Sequence, residues 1–208
     1  MDLEGNAIAV VGLGNPGRRY EHTRHNAGYQ VVDLVARKFS VTLSERKYPA
    51  YWGQTSVQGR KLLMVMPTTY MNLSGTAVAR ILHSFRMAPE QMLVVHDDLD
   101  MPCGRVKLVQ GGGGGGHRGV LSIIEQLGHQ RFPRLKLGIG RPRHGEPVED
   151  YVLKPPYPEE RTVFAEMVGV GAEAVETVII SGLQAAMNRF NRNPSTPDPA
   201  ASGLPSTS

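Results

Sequence analysis

The sequence is poor in cysteine: Cys103 is the single thiol among 208 residues. One cysteine excludes an internal disulfide and any metal site built from several thiolates. Cys103 lies in the turn-like segment MPCG, and we interpret it as a small turn residue. Any chemistry that this chain performs is therefore expected from other side chains.

The sequence also lacks long apolar runs. No uncharged apolar stretch approaches the roughly 20 residues that a membrane-spanning helix needs. The N-terminal segment MDLEGNAIAV has two acidic residues and no basic region before its short apolar run, unlike a secretory signal or a transit peptide. These absences predict a soluble, cytoplasmic protein without a membrane partner, and the length favours one domain.

The chain alternates between strand-like and helix-like segments. Apolar strands are predicted at residues 7–13, 51–57, 61–66, 92–96, 105–109 and 134–140. Helices are predicted at residues 27–39, 72–87, 117–128, about 158–181 and 183–191. The alternation predicts a single three-layer α/β domain over residues 1–192, in which helices flank a twisted, mixed and mostly parallel sheet. Residues 193–208 are rich in Pro and Ser and are predicted to form a disordered tail.

Three local features refine this prediction. Gln58 and Gly59 are expected to form the turn of a hairpin. Ser74 is a candidate N-cap for the second helix. Leu34 is expected to share the buried face of the first helix with Val31.

The stretch GLGNPG, at residues 12–17, matches the letters of a dinucleotide-binding loop. In such a unit a helix starts within the glycine motif, and an acid at the end of the second strand holds the ribose. Here Pro16 separates the glycines, residues 18–26 have no apolar stripe, and Asp33 falls inside a predicted helix. The pattern therefore argues against a dinucleotide and favours a tight turn that presents Asn15.

Polar side chains follow three of the predicted strands, where sites in α/β sheets assemble. Asn15 and His25 follow the first strand, Asn72 follows KLLMVMPTTYM, and Asp97 follows the apolar run MLVVH. A histidine paired with a carboxylate is the minimal general-base unit, and His25 with Asp97 fits it. The amides of Asn15 and Asn72 could donate to an oxyanion or to a peptide carbonyl.

Two other kinds of catalysis would leave different signatures in the sequence. A serine nucleophile elbow, G-x-S-x-G, is absent from the sequence. A metal centre built from His22, His25, His96 and nearby aspartates remains open, since these ligands suit several divalent metals. However, the His22-x-x-His25 spacing lacks the helical H-E-x-x-H pattern.

Two further segments could contact phosphate. Six consecutive glycines, residues 111–116, lack the Lys-Ser/Thr ending of a P-loop, and we interpret them as a loop that permits close approach to the backbone. Residues 131–143 hold five Lys and Arg side chains and no acid. Such a block suits a polyanion or a solvated surface.

Five motifs, in the order VVGLGNPGRRYEHTRHNAG, PTTYMNLSG, VVHDDLDMPCG, GGGGGGHRG and RLKLGIGRP, resemble those of the bacterial-type peptidyl-tRNA hydrolases. The resemblance covers residues 7–192. It implies a monomeric α/β enzyme that uses neither metal nor cofactor. The implied reaction is hydrolysis of the ester between a stalled peptide and the 3′ ribose of tRNA, with peptidyl-tRNA as the partner.

The resemblance also implies roles for individual residues. His25 would activate water, Asp97 would orient His25, and Asn15 would hold the reacting carbonyl. The residues expected to bind the substrate or the tRNA are Tyr20, Tyr70, Met71, Asn72, Lys107, His117, Arg118, Arg134 and Lys136.

The glycine loop departs from the family pattern at two positions. Gly114 stands where a histidine is common, and Arg118 stands where the family usually has an asparagine. Arginine keeps hydrogen-bond donors but cannot accept a hydrogen bond, so Arg118 could replace the clamp, bind tRNA or point away. Because of these departures, a catalytically silent RNA-binding protein of the same fold also stays open.

Overall fold

Seven strands form one sheet in the computed structural model, which describes residues 7–45 and 47–192. The strands are β1 (Ala7–Gly12), β2 (Ser44–Glu45), β3 (Ala50–Val57), β4 (Arg60–Pro67), β5 (Met92–Asp98), β6 (Val106–Val109) and β7 (Arg134–Gly138). Their order across the sheet is β2-β3-β4-β1-β5-β7-β6. The central strands β4, β1, β5 and β7 pair in parallel, whereas the pairings at both edges are antiparallel. The mixed sheet is as predicted.

Helices cover both faces of this sheet. They are α1 (Ala27–Lys38), α2 (Ser74–Phe85), α3 (Arg118–Leu127), α4 (Val148–Val152), α5 (Arg161–Ser181) and α6 (Leu183–Phe190). Alternate residues of β1 point to opposite faces: Ile8 and Val10 pack with α1, α5 and α6, and Ala9 and Val11 pack with α2 and α3. Both faces are therefore buried, and the predicted three-layer fold is confirmed.

The hairpin between β3 and β4 forms at the predicted residues. Gln58 and Gly59 have φ values of 51° and 76°. Two consecutive left-handed residues match the twist of the flanking strands, which is why such two-residue turns favour hairpins. Val57 then faces Arg60, and this pairing sets the register of both strands.

Two local predictions are wrong. Ser74 is the first residue of α2 rather than its cap, and its hydroxyl donates back to the carbonyl of Met71 at 2.8 Å. Leu34 is 43% exposed, because the buried stripe of α1 runs through Val32 and Ala36 instead. The short helix α4 and the two-residue strand β2 had no clear sequence signal, and the predicted tail at residues 193–208 lies outside the described residues.

The start of α1 packs directly against the ends of β1 and β5. A Cβ at Gly28 would lie 2.3 Å from the carbonyl oxygen of Val95 and 2.7 Å from the amide nitrogen of Leu13. Only glycine permits this approach, since backbone atoms cannot move aside as a flexible side chain can. The contact fixes the segment that precedes α1, which carries His25.

Within the described residues, no helix combines the length and the apolar character needed to cross a membrane.

Candidate active site

A pocket of about 350 Å³ lies where the parallel strands end. The carboxyl ends of β1, β4 and β5 meet at one edge of the sheet, and β1 is the strand at which the order of connections reverses. The pocket brings together most of the predicted site residues: Asn15, Tyr20, His25, Tyr70, Met71, Asn72, Asp97, His117 and Arg118. Lys107, Arg134 and Lys136 do not line it.

Asp97 is the centre of the pocket floor. It is 2% exposed, and His25 Nδ1 lies 2.9 and 3.0 Å from its two carboxylate oxygens. His117 Nε2 lies 2.9 Å from Asp97 Oδ1, so that two imidazoles share one carboxylate. Burial raises the pKa of Asp97, but the charges and hydrogen bonds of His25 and His117 outweigh it and bring that pKa well below its ordinary value. Asp97 is therefore ionised.

The hydrogen bonds define which nitrogen of each ring carries the proton. His117 precedes α3, and its Nδ1 accepts from the backbone N–H groups of Gly119 and Val120 at 3.2 and 3.3 Å. Its proton must therefore lie on Nε2, from which it donates to Asp97. His25 likewise donates from Nδ1, because the ionised carboxylate can only accept. His25 lines the pocket, and its Nε2 atom has no hydrogen-bond partner among the described residues.

His96 lies on β5 beside this pair but is not part of it. Its Nδ1 donates to the carbonyl of Asp97 at 2.7 Å, and its Nε2 has no hydrogen-bond partner among the described residues. Burial, with a further contribution from His117, holds the pKa of His96 well below its ordinary value, so the ring is neutral. His96 packs edge-on against His117 with the ring centres 4.9 Å apart.

Asn15 is held by a residue that the sequence analysis missed. The side chain of Asn26 accepts from the backbone N–H of Asn15 at 2.8 Å and donates to its carbonyl at 2.9 Å. The Oδ1 atom of Asn15 accepts from the backbone of Met71 at 3.1 Å. Its Nδ2 donor is consequently the group available to a ligand in the pocket. Asn26 directly follows His25, and this adjacency was the only feature of the sequence that could have indicated its role at the site.

Arg24 was also missed, although it precedes His25. It is 1% exposed, and its Nη1 donates to the carbonyls of Tyr151, Lys154 and Pro155 at 3.2, 3.4 and 2.7 Å. Its guanidinium lies 3.8 Å from the centre of the Tyr151 ring. Arg24 thus ties the turn that carries His25 to the end of α4, which forms one wall of the pocket.

The other predicted pocket residues occupy the wall and the rim. Met71 is 5% exposed and forms part of the wall, whereas Tyr70 is 64% exposed and Asn72 is also exposed. The ring of Tyr20 is covered by the guanidinium of Arg19 at 4.5 Å. These side chains therefore lie on the wall and the rim of the pocket rather than on its floor.

Arg118 reaches across the pocket. It is the first residue of α3, and its Nη2 lies 3.5 Å from Glu149 Oε1 on α4. Both side chains are about two-thirds exposed. Glu149, for which no role was predicted, also lines the pocket.

The prediction that Arg134 lies on the tRNA-facing surface is wrong. Arg134 is 2% exposed, and its Nη1 donates to the carbonyl of Gly113 at 2.7 Å. It starts β7, where it pairs with Val94 of β5 and Val109 of β6, so its stem lies within the sheet and its head supports the glycine loop.

The rest of the basic block is largely paired with acids from elsewhere in the chain. Lys136 lies 2.5 Å from Asp98, and Lys107 is exposed directly opposite Lys136 on β6. The remaining three arginines of the block contact acids too: Arg131 contacts Glu90, Arg141 contacts Asp100, and Arg143 contacts Glu159 and Glu160. Residues 131–143 contain no acidic residue, but acids from other segments neutralise most of their positive charges in the fold.

The side chains that could hold a metal ion differ from the predicted set. Donor atoms of His25, Asp97 and His117 lie within 4.8 Å of one another. His22 is exposed and outside this group, and His96 uses its Nδ1 on the backbone. Of these candidate ligands, His25 and Asp97 already form a hydrogen-bonded acid–base pair. His117 caps α3 and also hydrogen-bonds to Asp97.

The chain is similar to known proteins of one family. A family model described as peptidyl-tRNA hydrolase matches residues 9–198. The chain is 49% identical over 185 residues to a peptidyl-tRNA hydrolase of Moorella thermoacetica, covering 88% of this chain and 97% of that protein. It is 45% identical over 183 residues to one of Carboxydothermus hydrogenoformans, again covering 88% and 97%. A crystal structure of the peptidyl-tRNA hydrolase of Acinetobacter baumannii superposes with a TM-score of 0.81 at 36% identity, covering 89% of this chain and 95% of that chain.

Proposed function

The chain belongs to the peptidyl-tRNA hydrolase family, and we propose that it hydrolyses peptidyl-tRNA with His25 as the general base. It is an enzyme that cleaves the ester between a peptide and the 3′ ribose of tRNA, which frees the tRNA for reuse. The single observation that carries the proposed mechanism is the pairing of His25 Nδ1 with Asp97, because it leaves His25 Nε2 free to take a proton.

The proposed reaction is a direct attack by water. His25 Nε2 removes a proton from a water molecule, which attacks the ester carbonyl. Asp97 stabilises the imidazolium that forms, and the Nδ2 donor of Asn15 stabilises the developing oxyanion. The imidazolium then returns its proton to the departing 3′ oxygen of the ribose. A peptidyl ester is more reactive than an amide, so a positioned base suffices without a covalent intermediate.

The substrate would occupy the pocket and extend over the adjacent surface. Tyr20, Tyr70, Met71 and Asn72 would contact the terminal nucleotide and the peptide near the ester. Lys107 and Lys136 would meet tRNA phosphates, which suits an enzyme that accepts tRNAs of many sequences. We propose that the enzyme acts in the cytoplasm and that it is a monomer. Sedimentation of the purified protein would test the monomeric state.

Release of labelled peptide from peptidyl-tRNA tests the proposed base. In the His25→Ala variant kcat should fall by about 10²- to 10⁴-fold, the contribution typical of a general base. His22→Ala is a matched control, because His22 is exposed and lies three residues earlier in the same segment. Activity of His25→Ala close to that of the unaltered enzyme would refute the assignment.

The donor set of His25, Asp97 and His117 makes a metal-dependent hydrolysis the second candidate mechanism. The same assay with EDTA separates the two. The general-base mechanism requires unchanged kcat after chelation, whereas loss of activity that Zn²⁺ or Mn²⁺ restores would favour a metal.

The tRNA contact is tested separately from the chemistry. Lys136→Glu should raise KM for peptidyl-tRNA while leaving hydrolysis of a minimal ester nearly unchanged. Lys61→Glu is the control. Lys61 is an exposed residue near the start of β4, whereas the pocket lies at the carboxyl end of that strand. Equal losses on both substrates would contradict a phosphate contact.

A further inference from the structure

The chain has a second stretch without acidic residues, and it is longer than residues 131–143. Residues 46–89 contain six Lys and Arg side chains and no Asp or Glu. They include β3, β4 and α2, which belong to the part of the fold next to the β2 edge of the sheet. Lys107 and Lys136, by contrast, lie on β6 and β7 at the other edge.

A groove of about 610 Å³, called here the α2 groove, lies between α2 and the segment that precedes β3. Its lining residues are Lys47, Tyr48, Ala79, Arg80, His83 and Ser84. Arg80, His83 and Ser84 are three and four residues apart, so the helix presents them on one face. Ala79 adds only a methyl group beside them, which leaves the groove open.

The α2 groove and the active-site pocket differ in charge. Three carboxylates and one arginine line the pocket. None of the described residues that line the α2 groove is acidic, and Lys47, Arg80 and His83 have no ion pair with a carboxylate in the described part of the chain. All three side chains are exposed. An anion can therefore reach them without displacing an acid.

Aromatic packing fixes one wall of the α2 groove. The ring of Tyr48 packs against those of Trp52 and Phe85, with ring centres 5.7 and 6.3 Å apart. The ammonium group of Lys47 lies 5.5 Å from the centre of the Tyr48 ring. Hydrogen bonding with Ser84 and the proximity of Lys47 outweigh desolvation and lower the pKa of Tyr48, so this wall favours negative charge.

The donors of the α2 groove match a phosphate group. A guanidinium binds phosphate through two parallel N–H donors, and an ammonium group binds it as a point charge. Imidazole and hydroxyl groups can add further hydrogen bonds. The donors come from both sides of the groove, from α2 and from Lys47 and Tyr48. The tetrahedral oxygens of a phosphate can meet donors from two sides, whereas the two oxygens of a carboxylate lie in one plane.

We propose that the α2 groove is a second anion-binding site, which binds a phosphate group of an RNA strand or of a free phosphate compound. Arg80 donates to the phosphate from its guanidinium and Lys47 from its ammonium group. His83, Ser84 and Tyr48 supply the remaining donors. The site is separate from the hydrolytic pocket and does not depend on the proposed function.

Trp52 provides a local reporter of binding, because it is the only tryptophan of the chain and its ring packs on Tyr48. The purified protein is titrated with inorganic phosphate and, separately, with a short single-stranded RNA without an esterified peptide. We expect a saturable change in Trp52 emission. Arg80→Ala should weaken the binding by about tenfold or more, the scale of a lost hydrogen bond to a charged group. Arg80→Lys, which keeps the charge, should lose less.

Arg161→Ala is the matched control. Arg161 is an exposed arginine at the start of α5, so its replacement removes the same charge from a helix outside the α2 groove. The affinity of Arg161→Ala should equal that of the unaltered protein.

The two titrations distinguish the sources of the phosphate. An RNA site binds the RNA more tightly than inorganic phosphate, and Arg80→Ala reduces the slope of log affinity against log salt by about 0.7, the value for one phosphate contact on a single strand. A site for a free phosphate compound responds to inorganic phosphate at lower concentrations than to RNA.

Three results would overturn the inference. One is the absence of a saturable change in Trp52 emission with both probes. Another is an equal change with NaCl at the same ionic strength, which would show charge screening only. The third is unaltered affinity in both Arg80→Ala and His83→Ala. Because Arg80 and His83 are exposed, both variants should unfold at the same urea concentration as the unaltered protein, which separates lost binding from lost folding.

Discussion

Replacement of Asp97 by asparagine removes the charge from the centre of the site while keeping its shape. The carboxylate accepts from His25 and His117 at 2.9 Å each. An asparagine keeps one acceptor oxygen at this place but replaces the other oxygen with an NH₂ donor, so His25 Nδ1 no longer faces two acceptors. An imidazolium about 4 Å from a carboxylate is stabilised by roughly 4 kcal/mol at an effective dielectric constant of 20. Loss of that stabilisation corresponds to a fall in kcat of about 10³-fold.

The assay is single-turnover release of labelled peptide from peptidyl-tRNA, with KM measured in parallel. We expect kcat to fall by 10²- to 10⁴-fold and KM to change by less than about threefold, since the charge acts mainly when the proton is transferred. Asp100→Asn serves as the control, because Asp100 is an exposed carboxylate three residues away that pairs with Arg141. A kcat for Asp97→Asn within threefold of the unaltered enzyme would refute the role of the shared carboxylate.

Three further predictions concern the support of the site. Asn26→Ala should lower kcat/KM by about 10- to 100-fold through loss of the two hydrogen bonds that hold Asn15. The double variant Asn15→Ala/Asn26→Ala should have the same kcat/KM as Asn15→Ala. A double variant whose loss in kcat/KM is the product of the two single losses would contradict this dependence. Gly28→Ala should destabilise the fold by about 3 kcal/mol or more in urea unfolding, because its Cβ would overlap backbone atoms, whereas Gly169→Ala, in open space on α5, should stabilise it by roughly 0.5–1 kcal/mol. The pKa of His96 is lowered by burial in the folded protein. As pH falls through about 6.5, His96 therefore gains a proton in the unfolded chain but not in the folded protein. The free energy of unfolding then decreases below pH 6.5 by up to about 1.4 kcal/mol per pH unit. His96→Gln should therefore flatten the loss of stability between pH 6.5 and 5 in urea titrations, and identical slopes in both proteins would show that His96 does not titrate this way.

The sequence predicted most of the fold because apolar periodicity is a local signal. The six longer strands and five longer helices follow stretches with a clear period, and the turn at Gln58 and Gly59 follows from left-handed conformations in a two-residue turn. The errors occur where tertiary contacts override local preference. Leu34 is exposed because the sheet selects a neighbouring stripe of α1, and Ser74 donates backwards because the chain already turns at Met71.

The sequence could predict those site residues whose chemistry follows from their residue type. It could not predict those whose role depends on their hydrogen-bond partners. His25 with Asp97 could be proposed from the general-base pattern, and Asn15 from its place in the turn after the first strand. The tautomer of His117, by contrast, depends on the backbone of α3, and the role of Asn26 depends on the path of the loop around Asn15. Arg134 was misplaced because a run of cations in sequence does not show which of them a strand directs inward.

The turn that carries His25 gathers partners from distant parts of the chain. Asn26 bonds 11 residues back, His25 bonds 72 residues ahead, and Arg24 bonds 131 residues ahead. During synthesis on the ribosome the chain emerges from its N-terminus, so the base appears long before Asp97 and the end of α4. Until release, this enzyme is itself a peptidyl-tRNA of the kind it cleaves. The order in which its sequence emerges means that the nascent chain has no hydrolytic centre until most of it has left the ribosome.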